Sequence, residues 1–278
     1  MKKVNLGVIG VGRIGQIHIR NLKYQMEGAN VLAIADIAIE SAKKVAQAFD
    51  IPICEKDYRP LLKNKEIEAV AICSSTDTHA QIIVDSALAG KHIFCEKPIA
   101  LEMDKIDQAL AAVEKAGVKF QVGFNRRFDP SFKKAKELVE SGKIGVPHLL
   151  RISSRDPQPP PLDYVKVSGG LFLDMMIHDF DMARYLMGEE VAELVATGNC
   201  CIDSAIGQCG DVDTAVVLMK FQSGALGAID NSRQAVYGYD QRIEVFGSEG
   251  SVIVGNKTPT EVTLHRADSI HGEKPLFF

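Results

Sequence analysis

Short apolar runs alternate with segments of helical spacing along residues 1–122. The runs are nearly continuous, which is typical of strands that are buried on both faces of a sheet. The segments between them have helical spacing or turn-forming residues, as in a doubly wound α/β fold. We therefore predict a parallel sheet with intervening helices over this part of the chain. Its predicted strands are residues 4–9, 31–35, 51–54, 69–73, 92–95 and 119–122.

The pattern changes after Val122, which predicts a domain boundary near Gly123. An amphipathic helix over residues 130–141 precedes a set of β-type runs that Gly and Ser interrupt. Because the turns between the later runs are short, neighbouring strands are expected to be antiparallel. We predict an α+β domain over residues 123–278 with a mostly antiparallel open sheet. Its predicted strands are residues 148–154, 191–201, 214–221, 225–232, 241–246 and 251–254.

Length and charge narrow the range of partners. The chain has 278 residues, which is enough for two domains of ordinary size. Its formal net charge is −4 and no basic run is longer than two residues, so neither nucleic acid nor an anionic membrane surface is expected as a partner. No apolar run reaches the length of about 18 residues that a membrane span needs. Small polar molecules are the expected partners.

The six cysteines predict a reduced, cytoplasmic protein. They lie mostly in apolar, strand-like runs and include no C-x-x-C pair, a pattern that favours buried thiols over a disulfide framework. Cys200, Cys201 and Cys209 resemble part of a metal site, but a second paired cluster is missing. We therefore expect no metal.

The first predicted strand runs directly into a glycine-rich motif that opens a helix. A second apolar run ends in Asp36, about twenty residues further on, as in the fingerprint of dinucleotide-binding proteins. Gly10 permits a tight turn, Gly12 lets the backbone approach a pyrophosphate, and Gly15 lets the helix pack on the sheet. The predicted dinucleotide-binding residues of this region are Gly10, Gly12, Arg13, Ile14, Gly15 and Asp36.

Asp36 also favours NAD over NADP. Its carboxylate would accept hydrogen bonds from the ribose hydroxyls of the adenosine, and it would repel a 2′-phosphate. The next residue is Ile37 rather than an arginine that pairs with such a phosphate. Lys43 and Lys44 would reach a 2′-phosphate only by folding back from the following helix. NAD is therefore the predicted cofactor.

Two further polar segments lie at the carboxyl ends of predicted strands, where sheets of this kind bind ligands. Residues 74–76 follow the fourth strand, and residues 96–97 follow the fifth. Lys97 is there either a solvated charge at a sheet edge or an ammonium that faces a substrate oxygen beside the nicotinamide. His79 has at most a minor role, since it otherwise reads as a residue of a first helical turn. The predicted cofactor-binding residues of these groups are Ser74, Ser75, Thr76, His79, Glu96 and Lys97.

The stretch GGLFLDMMIHDFDMARYL, residues 169–186, has the pattern of a catalytic helix. Asp174, His178 and Asp181 follow at spacings of four and three residues, which places them on one face of an α-helix. A carboxylate beside an imidazole stabilises its cation, so a neutral His178 can accept a proton near neutral pH. The alternative is a helix turn with a capping acid and a histidine at a polar edge. A metal site made of the same three side chains is a weaker, third interpretation.

Three motifs together resemble the Gfo/Idh/MocA superfamily of nicotinamide-dependent sugar and polyol oxidoreductases. They are GVIGVGRIGQIH, the EKP at residues 96–98, and GGLFLDMMIHDFDMARYL. The resemblance runs along nearly the whole chain, and SSRDPQPPPLDYVKVSGGLFLDMMIHDFDMARYL is most similar to inositol 2-dehydrogenases. It implies a Rossmann NAD-binding domain over residues 1–122 and a substrate-binding and oligomerisation domain over residues 123–278.

The resemblance also assigns roles to single residues. The catalytic lysine falls on Lys97, the acid on Asp174 and the histidine on His178. Residues 124–128 resemble the segment that joins the two domains, where Arg127 would face the substrate. Asp156, which begins a proline-rich segment predicted to be an extended loop, matches a pocket-lining position, as does Tyr237. The predicted substrate-binding residues are Lys97, Arg127, Asp156, Asp174, His178 and Tyr237.

These observations predict an NAD-dependent dehydrogenase that oxidises a cyclic polyol. The resemblance favours myo-inositol as the substrate and 2-keto-myo-inositol (scyllo-inosose) as the product. His178 takes the hydroxyl proton, Asp174 supports it, and Lys97 stabilises the developing alkoxide. Two alternatives stay open: a dehydrogenase of another inositol isomer or of a sugar such as glucose, and a non-catalytic NAD-binding regulator. A regulator would need none of the three catalytic side chains.

The resemblance implies an assembly as well. Family members use the open face of the second sheet to form oligomers, so a homo-oligomer, either a tetramer or a dimer, is expected. Members usually continue past the position of Phe278 with a further helical segment. We therefore expect the second domain to be C-terminally truncated.

Overall fold

The computed structural model of this protein describes residues 2–256, 262–265 and 270–273. The chain forms two compact units, Met1–Phe124 and Asn125–Phe278. The expected truncation after Phe278 lies outside the described residues.

The first unit is a parallel sheet of six strands with helices between them. The strands are β1 (Val4–Ile9), β2 (Ala29–Ala35), β3 (Ile53–Glu55), β4 (Ala69–Ile72), β5 (His92–Cys95) and β6 (Phe120–Val122). The helices are α1 (Arg13–Tyr24), α2 (Ile39–Ala48), α3 (Arg59–Lys63), α4 (Thr76–Leu88) and α5 (Met103–Ala116). The strand order is β3-β2-β1-β4-β5-β6, and all neighbours are parallel. This order reverses between β1 and β4, which confirms the predicted Rossmann sheet.

Apolar side chains bury both faces of this sheet. Val8 and Ile34 belong to one core cluster, whereas their neighbours Ile9 and Ala33 belong to another. Successive side chains of a strand point to opposite faces, so the two clusters are the cores on the two sides of the sheet. This explains why the strand sequences are continuous apolar runs rather than alternating ones.

The second unit contains a larger sheet, helices and a small separate hairpin. The helices are α6 (Pro130–Glu140), α7 (Leu162–Ser168), α8 (Ile177–Met187) and α9 (Ser204–Gln208). The strands are β7 (Pro147–Arg155), β8 (Val191–Asn199), β9 (Thr214–Phe221), β10 (Leu226–Ser232), β11 (Asp240–Gly247), β12 (Ser251–Val254), β13 (Val262–His265) and β14 (Ile270–Glu273). In addition, Asn125–Phe128 forms a 3₁₀ turn and Leu171–Met176 a π-helical turn.

Six of these strands form one sheet in the order β12-β11-β7-β10-β9-β8. Neighbouring strands are antiparallel, with the exception of β7 and β10, which are parallel. The predicted mostly antiparallel open sheet is therefore confirmed. In the parallel pair, β7, which is the first of these strands in the chain, lies in the interior of the sheet beside β10.

Local sequence signals explain where the helices of the second unit begin. Asp129 precedes α6 and accepts hydrogen bonds from the backbone N–H groups of Ser131 (2.8 Å) and Phe132 (3.3 Å). Pro130 occupies the first helical position, where its missing N–H group costs nothing. The proline-rich segment ends at Pro161, and the short helix α7, which the sequence pattern does not predict, follows at once.

Among the residues that the structure describes, no helix is long and apolar enough to cross a membrane.

The second sheet has one buried face and one exposed face. Val217 and Ile229 have no exposed surface and pack in the core with side chains of α6 and α8. On the opposite face, Val195 is 70% exposed and its cross-strand neighbour Leu218 is 58% exposed. The outer face therefore carries exposed apolar side chains that the described part of the second unit does not cover, beside ion pairs such as that of Arg151 with Glu244.

The packing of α4 generates a prediction about stability. Ile83→Ala removes a side chain with no exposed surface, and we expect it to lower the free energy of unfolding by about 2–5 kcal/mol because a cavity remains. Leu88→Ala on the same helix changes a residue that is 75% exposed and serves as the control, with an effect below about 0.5 kcal/mol. Denaturant unfolding followed by circular dichroism measures both. Equal losses in the two variants would contradict the assigned burial.

Candidate active site

The glycine-rich loop joins β1 to α1 through close backbone contacts. Gly10 has a φ of +88°, and a Cβ atom there would lie 2.5 Å from the backbone nitrogen of Ser74. A Cβ atom at Gly15 would overlap the carbonyl oxygen of Gly10. Real Cβ atoms do not approach other atoms so closely. Only glycine therefore fits at these two positions.

Gly12 differs from the other two glycines because open space surrounds it. No atom lies within 4 Å of the position that its Cβ would take. Gly12 is the N-cap of α1 and lines a cavity of about 500 Å³ in the first unit. A helix N-terminus beside open space favours a phosphate, so the residues present fit a dinucleotide. The predicted residues that line this cavity are Gly10, Gly12, Arg13, Ile14, Asp36, Ser74 and Ser75.

The other predicted cofactor residues lie outside the wall of this cavity in the described part of the chain; they are Gly15, Thr76, His79, Glu96 and Lys97. Sequence analysis misses Tyr58 and Thr78, which do line it. Tyr58 donates a hydrogen bond to Asp85 (2.6 Å), and burial together with that carboxylate raises the pKa of Tyr58 to about 12. Tyr58 therefore stays a neutral, partly apolar wall residue at physiological pH.

Asp36 is fixed against the glycine-rich loop. Its Oδ2 atom accepts a hydrogen bond from the backbone N–H of Val11 (2.8 Å), and its Oδ1 atom accepts one from Ala38 (2.8 Å). Each carboxylate oxygen has a second lone pair. The carboxylate is thus held in one orientation and can still accept hydrogen bonds from the hydroxyl groups of a ribose.

His79 is buried beneath the loops that follow β4 and β5. Its Nδ1 atom lies 2.8 Å from the carbonyl oxygen of Pro98, and its Nε2 atom lies 3.0 Å from that of Ser74. Its exposed fraction is 2%. In this structure His79 therefore joins two loops rather than facing the cavity.

Lys97 stands at the carboxyl edge of the sheet directly after Glu96. The Glu96 carboxylate lies 2.6 Å from Nε2 of His18, which is on α1. The peptide bond between Lys97 and Pro98 is cis. The segment that carries Lys97 is thus tied to α1 through Glu96 and to α4 through Pro98.

In the second unit, two glycines and one acid determine where the segment predicted to be catalytic begins. Gly169 (φ +85°) ends α7, and Gly170 (φ +75°) turns the chain into the π-helical turn. A Cβ at Gly170 would lie 2.6 Å from Oδ1 of Asp211. Both carboxylate oxygens of Asp211 accept a hydrogen bond from the backbone N–H of Leu171, at 2.9 and 3.1 Å. Asp211 therefore caps the start of this segment, although it lies far from it in sequence.

The single α-helix that the sequence pattern predicts is in fact two elements. Asp174 lies on the π-helical turn, whereas His178 and Asp181 lie on α8. A π-helical turn contains more residues than an α-helical one, so the argument from one α-helical face does not hold across the junction. This corrects the expected geometry of the three side chains.

Asp174 is held by two partners that sequence analysis misses. Its Oδ1 atom accepts a hydrogen bond from the hydroxyl of Tyr164 (2.8 Å), and its Oδ2 atom lies 3.0 Å from Nη1 of Arg233. The same nitrogen lies 3.6 Å from Oδ2 of Asp156. Burial raises the pKa of Asp156 above its usual range, and the neighbouring Arg233 opposes that shift. The structure thus brings the predicted residues Asp156 and Asp174 together around one guanidinium.

Asp179, the neighbour of His178, has no exposed surface. Its carboxylate accepts hydrogen bonds from Ser154 on β7 (2.6 Å), from Asn231 on β10 (2.9 Å) and from Arg126. A buried carboxylate with a cation and two neutral donors is fully compensated. This network attaches the first turn of α8 to the sheet and so determines where His178 stands.

Arg127 and Tyr237, both predicted to bind substrate, make the following contacts within the second unit. Arg127 forms a two-point ion pair with Asp181, at 2.7 and 2.8 Å, and its guanidinium stacks 5.0 Å from the ring of Tyr185. The hydroxyl of Tyr237 donates to Asp240 at 2.6 Å. Asp181 is thus neutralised by Arg127.

Among the described residues, no group of three or more His, Cys, Asp or Glu side chains is arranged to hold a metal ion.

No local signal would have identified Arg233 or Asp179. Arg233 is a lone charge after a strand, and Asp179 is one of several acids in its segment. Their burial follows from tertiary packing. Asp211 is likewise recognisable only once the strands have placed it beside Leu171.

Comparison with known families gives matches over both units. A family described as "Oxidoreductase family, NAD-binding Rossmann fold" (GFO_IDH_MocA) matches residues 4–124. The family described as "GFO/IDH/MocA C-terminal domain" matches residues 132–253. The two matches together cover most of the chain.

Individual relatives and solved structures are similar along nearly the whole chain. A myo-inositol 2-dehydrogenase of Thermotoga maritima is 52% identical over 275 residues, which is 99% of this chain and 82% of that protein. The crystal structure of a probable dehydrogenase from Thermotoga maritima superposes with a TM-score of 0.95 at 52% identity, covering 99% of this chain and 82% of the other. A scyllo-inositol dehydrogenase from Lactobacillus casei, solved with bound NAD(H) and scyllo-inositol, gives a TM-score of 0.89 at 31% identity, covering 98% and 82%.

The three glycines of the loop generate a prediction that separates binding from folding. Gly12→Ala places a methyl group in the open space of the cavity, so we expect the affinity for NADH to fall at least about tenfold with only a small change in melting temperature. Gly15→Ala forces a Cβ atom into the loop backbone, so we expect a melting temperature lower by several degrees. Titration calorimetry and thermal melts measure the two effects. Unchanged NADH affinity in Gly12→Ala would place the cofactor elsewhere.

Proposed function

Because this chain belongs to the GFO/IDH/MocA family of NAD-dependent oxidoreductases, we propose that it oxidises a ring hydroxyl of an inositol. The proposed reaction converts myo-inositol to 2-keto-myo-inositol (scyllo-inosose) with NAD. One observation carries the proposal: the 52% identity, over 99% of this chain, to a protein named myo-inositol 2-dehydrogenase. The cluster of acids around Arg233 supports it, since carboxylates are good acceptors for the many hydroxyl groups of a polyol.

The first unit supplies the cofactor site. The backbone around Gly12 accommodates the pyrophosphate, and Asp36 accepts hydrogen bonds from the ribose hydroxyls. Ile37, which is 85% exposed, follows Asp36 and offers no cation for a 2′-phosphate. When bound, NAD supplies the acceptor for the hydride that leaves the substrate carbon. The protein contributes orientation and charge.

Proton transfer is assigned to residues of the catalytic motifs. His178 accepts the proton of the reacting hydroxyl as the general base. Asp174, held in place by Tyr164 and Arg233, stabilises the imidazolium that results. Lys97 stabilises the negative charge that develops on the substrate oxygen.

The remaining predicted residues are assigned to substrate hydroxyls. Asp156 accepts hydrogen bonds from them beside Asp174. Arg127 contributes a donor, because its ion pair with Asp181 uses Nε and Nη2 and leaves the N–H groups of Nη1 for a substrate hydroxyl. Tyr237 contributes its hydroxyl, which also donates to Asp240.

A second candidate substrate is scyllo-inositol. It is favoured by the similarity to the Lactobacillus casei enzyme that was solved with this ligand, although that identity is only 31%. The two isomers differ in the orientation of one hydroxyl group. A choice between them therefore depends on the polar side chains that meet that single group.

We also propose that the chain forms a homo-oligomer and works in the cytoplasm. The exposed apolar side chains on the outer face of the second sheet include Val195, Leu218, Leu226 and Phe246. Contact with another protein surface would remove them from water, which is favourable. A second copy of the chain presents the same face, as a two-fold interface requires. All six cysteines are free thiols, which is the state expected in a reducing compartment.

The proposed reaction predicts a ranking of substrates. We expect NADH formation from NAD to be fastest with myo-inositol, slower with scyllo-inositol and slowest with glucose, and at least about tenfold slower when NADP replaces NAD. Absorbance at the NADH band measures all four reactions. Fastest turnover with another polyol would reject the substrate assignment while leaving the dehydrogenase assignment intact.

The same assay tests the catalytic residues. Lys97→Ala and His178→Asn are expected to lower kcat at least about 100-fold, with the affinity for NADH changed less than about threefold. Lys105→Ala, at an exposed lysine that pairs with Glu102, is the matched control and should keep full activity. If the protein binds NADH yet turns over none of the three tested compounds, the substrate assignment is rejected in favour of a different substrate or a regulatory role.

The assembly proposal predicts a change of mass. Val195→Glu combined with Leu218→Glu places two charges on neighbouring positions of the outer sheet face, and we expect the oligomer to dissociate into smaller species. Leu88→Glu, at an exposed apolar residue of α4, is the control. Sedimentation velocity gives the masses. An unchanged mass in the double variant would mean that another surface forms the oligomer.

A further inference from the structure

Arg233 is a buried guanidinium that faces two acids with a single nitrogen. It follows β10, and its side chain is 2% exposed. Its Nη1 atom lies 3.0 Å from Oδ2 of Asp174 and 3.6 Å from Oδ2 of Asp156. Its backbone N–H donates to the carbonyl oxygen of Asp213 at 2.8 Å, which fixes the main chain at this point.

The cluster contains two carboxylates and one guanidinium in a region partly shielded from water, where the side chains of Asp174 and Asp156 are 13% and 26% exposed. Neighbouring carboxylates disfavour each other's ionised form, and a cation between them offsets this repulsion. Burial and the charge of Asp174 both raise the pKa of Asp156, whereas Arg233 lowers it. Removal of Arg233 would therefore raise the pKa of Asp156 further.

Stability alone does not account for an arginine here. The Nε and Nη2 atoms of Arg233 are buried, and they have no hydrogen-bond partner among the described residues. A buried charge with unsatisfied donors costs stability compared with an apolar side chain of similar volume. The contact that Arg233 makes through Nη1 is with two residues of the candidate active site. What Arg233 provides here, and an apolar side chain of similar volume would not, is a positive charge beside these two carboxylates.

Other titratable groups also face the cluster. Tyr164 on α7 donates its hydroxyl to Asp174. The charge of Arg126 lowers the pKa of Asp156, and Tyr239 interacts with Asp156 electrostatically. Arg126 is paired with the buried Asp179, so much of its charge is already compensated. His178 lies four residues after Asp174, at the start of α8.

We propose that Arg233 is the positioning residue of this active site, which keeps Asp156 and Asp174 ionised together and fixes the orientation of both carboxylates. Asp174 then presents a negative charge to support His178, and Asp156 remains a pure hydrogen-bond acceptor for substrate hydroxyls. The activity readout of this proposal rests on the proposed function. Its charge argument rests only on the geometry of the second unit.

The first test is the pH dependence of kcat in Arg233→Met, which removes the charge at similar volume. We expect kcat to fall about 100-fold at pH 7, while the affinity for NADH stays within about threefold of the unmodified protein. Because higher pH restores the second carboxylate, the kcat of the variant should recover by up to about tenfold per pH unit above pH 7. The unmodified protein should show no such recovery.

Arg184→Met is the matched control, since it breaks an exposed two-point ion pair with Glu190 and should keep the original kcat and pH profile. Arg233→Lys keeps the charge and should retain the original pH profile with a smaller loss of kcat. The proposal is overturned if Arg233→Met loses the same factor at every pH, because that is the result of a merely structural role. It is equally overturned if Arg233→Lys behaves like Arg233→Met.

A second readout needs no turnover and so separates this proposal from the proposed function. In Arg233→Met the folded state binds a proton that the unfolded state has already released, so stability falls as pH rises through the interval between the two pKa values. We expect the melting temperature of the variant, relative to the unmodified protein, to drop further at each step from pH 5 to pH 8. A constant difference across this range contradicts the proposal, even if no polyol is a substrate. If Arg233→Met does not fold, Arg233→Gln, which is also neutral, takes its place in both tests.

Discussion

The second unit depends on the neutralisation of one carboxylate that has no contact with water. Asp179 accepts hydrogen bonds from Arg126, Ser154 and Asn231, and these residues belong to the 3₁₀ turn, to β7 and to β10. Loss of the cation would leave an uncompensated buried charge, at a cost of about 3–5 kcal/mol. The carboxylate can therefore exist in only one arrangement of these elements around α8. Because His178 directly precedes Asp179 in the chain, the same constraint determines the position of the imidazole. Arg233 is the converse case, because there one buried cation offsets the charges of two carboxylates.

The fold could be predicted from the sequence because the pattern of apolar positions along the chain indicates which side chains are buried. Continuous apolar runs predict the six parallel strands of the first sheet, and the change of pattern after Val122 predicts a second kind of domain. The pattern fails where tertiary contacts replace local signals. Nothing in residues 171–176 distinguishes a π-helical turn from an α-helical one, because the turn depends on a cap from the distant Asp211. The short helix α7 is missed because the prolines before it predict an extended chain, and only the residues after Pro161 are helical.

The candidate site was accessible in part. Glycine spacing selects the loop whose geometry admits no side chain at Gly10, because that requirement is local. Acid and histidine spacing selects Asp174 and His178 as a group, but it does not reveal what surrounds them. Charged residues at distant positions in the chain complete the cluster, and a lone arginine such as Arg233 has no signature in a single sequence. The site is thus best understood as a short recognisable motif whose electrostatic environment is assembled by the fold.

The interior position of β7 in the second sheet has a consequence for the synthesis of the chain. In the first unit, the partner of β1 on one side is β2, the next strand in the chain, and β4 lies on the other side, so both partners are made soon after β1. In the second unit, β7 is made first, yet both strands that flank it, β10 and β11, follow much later in the chain. Pairing between distant segments is slow, and a strand with two unpaired edges is prone to associate with the wrong partner. The second sheet therefore leaves the edges of β7 unpaired until most of the second unit has been made, whereas the strands of the first sheet gain partners soon after they are made.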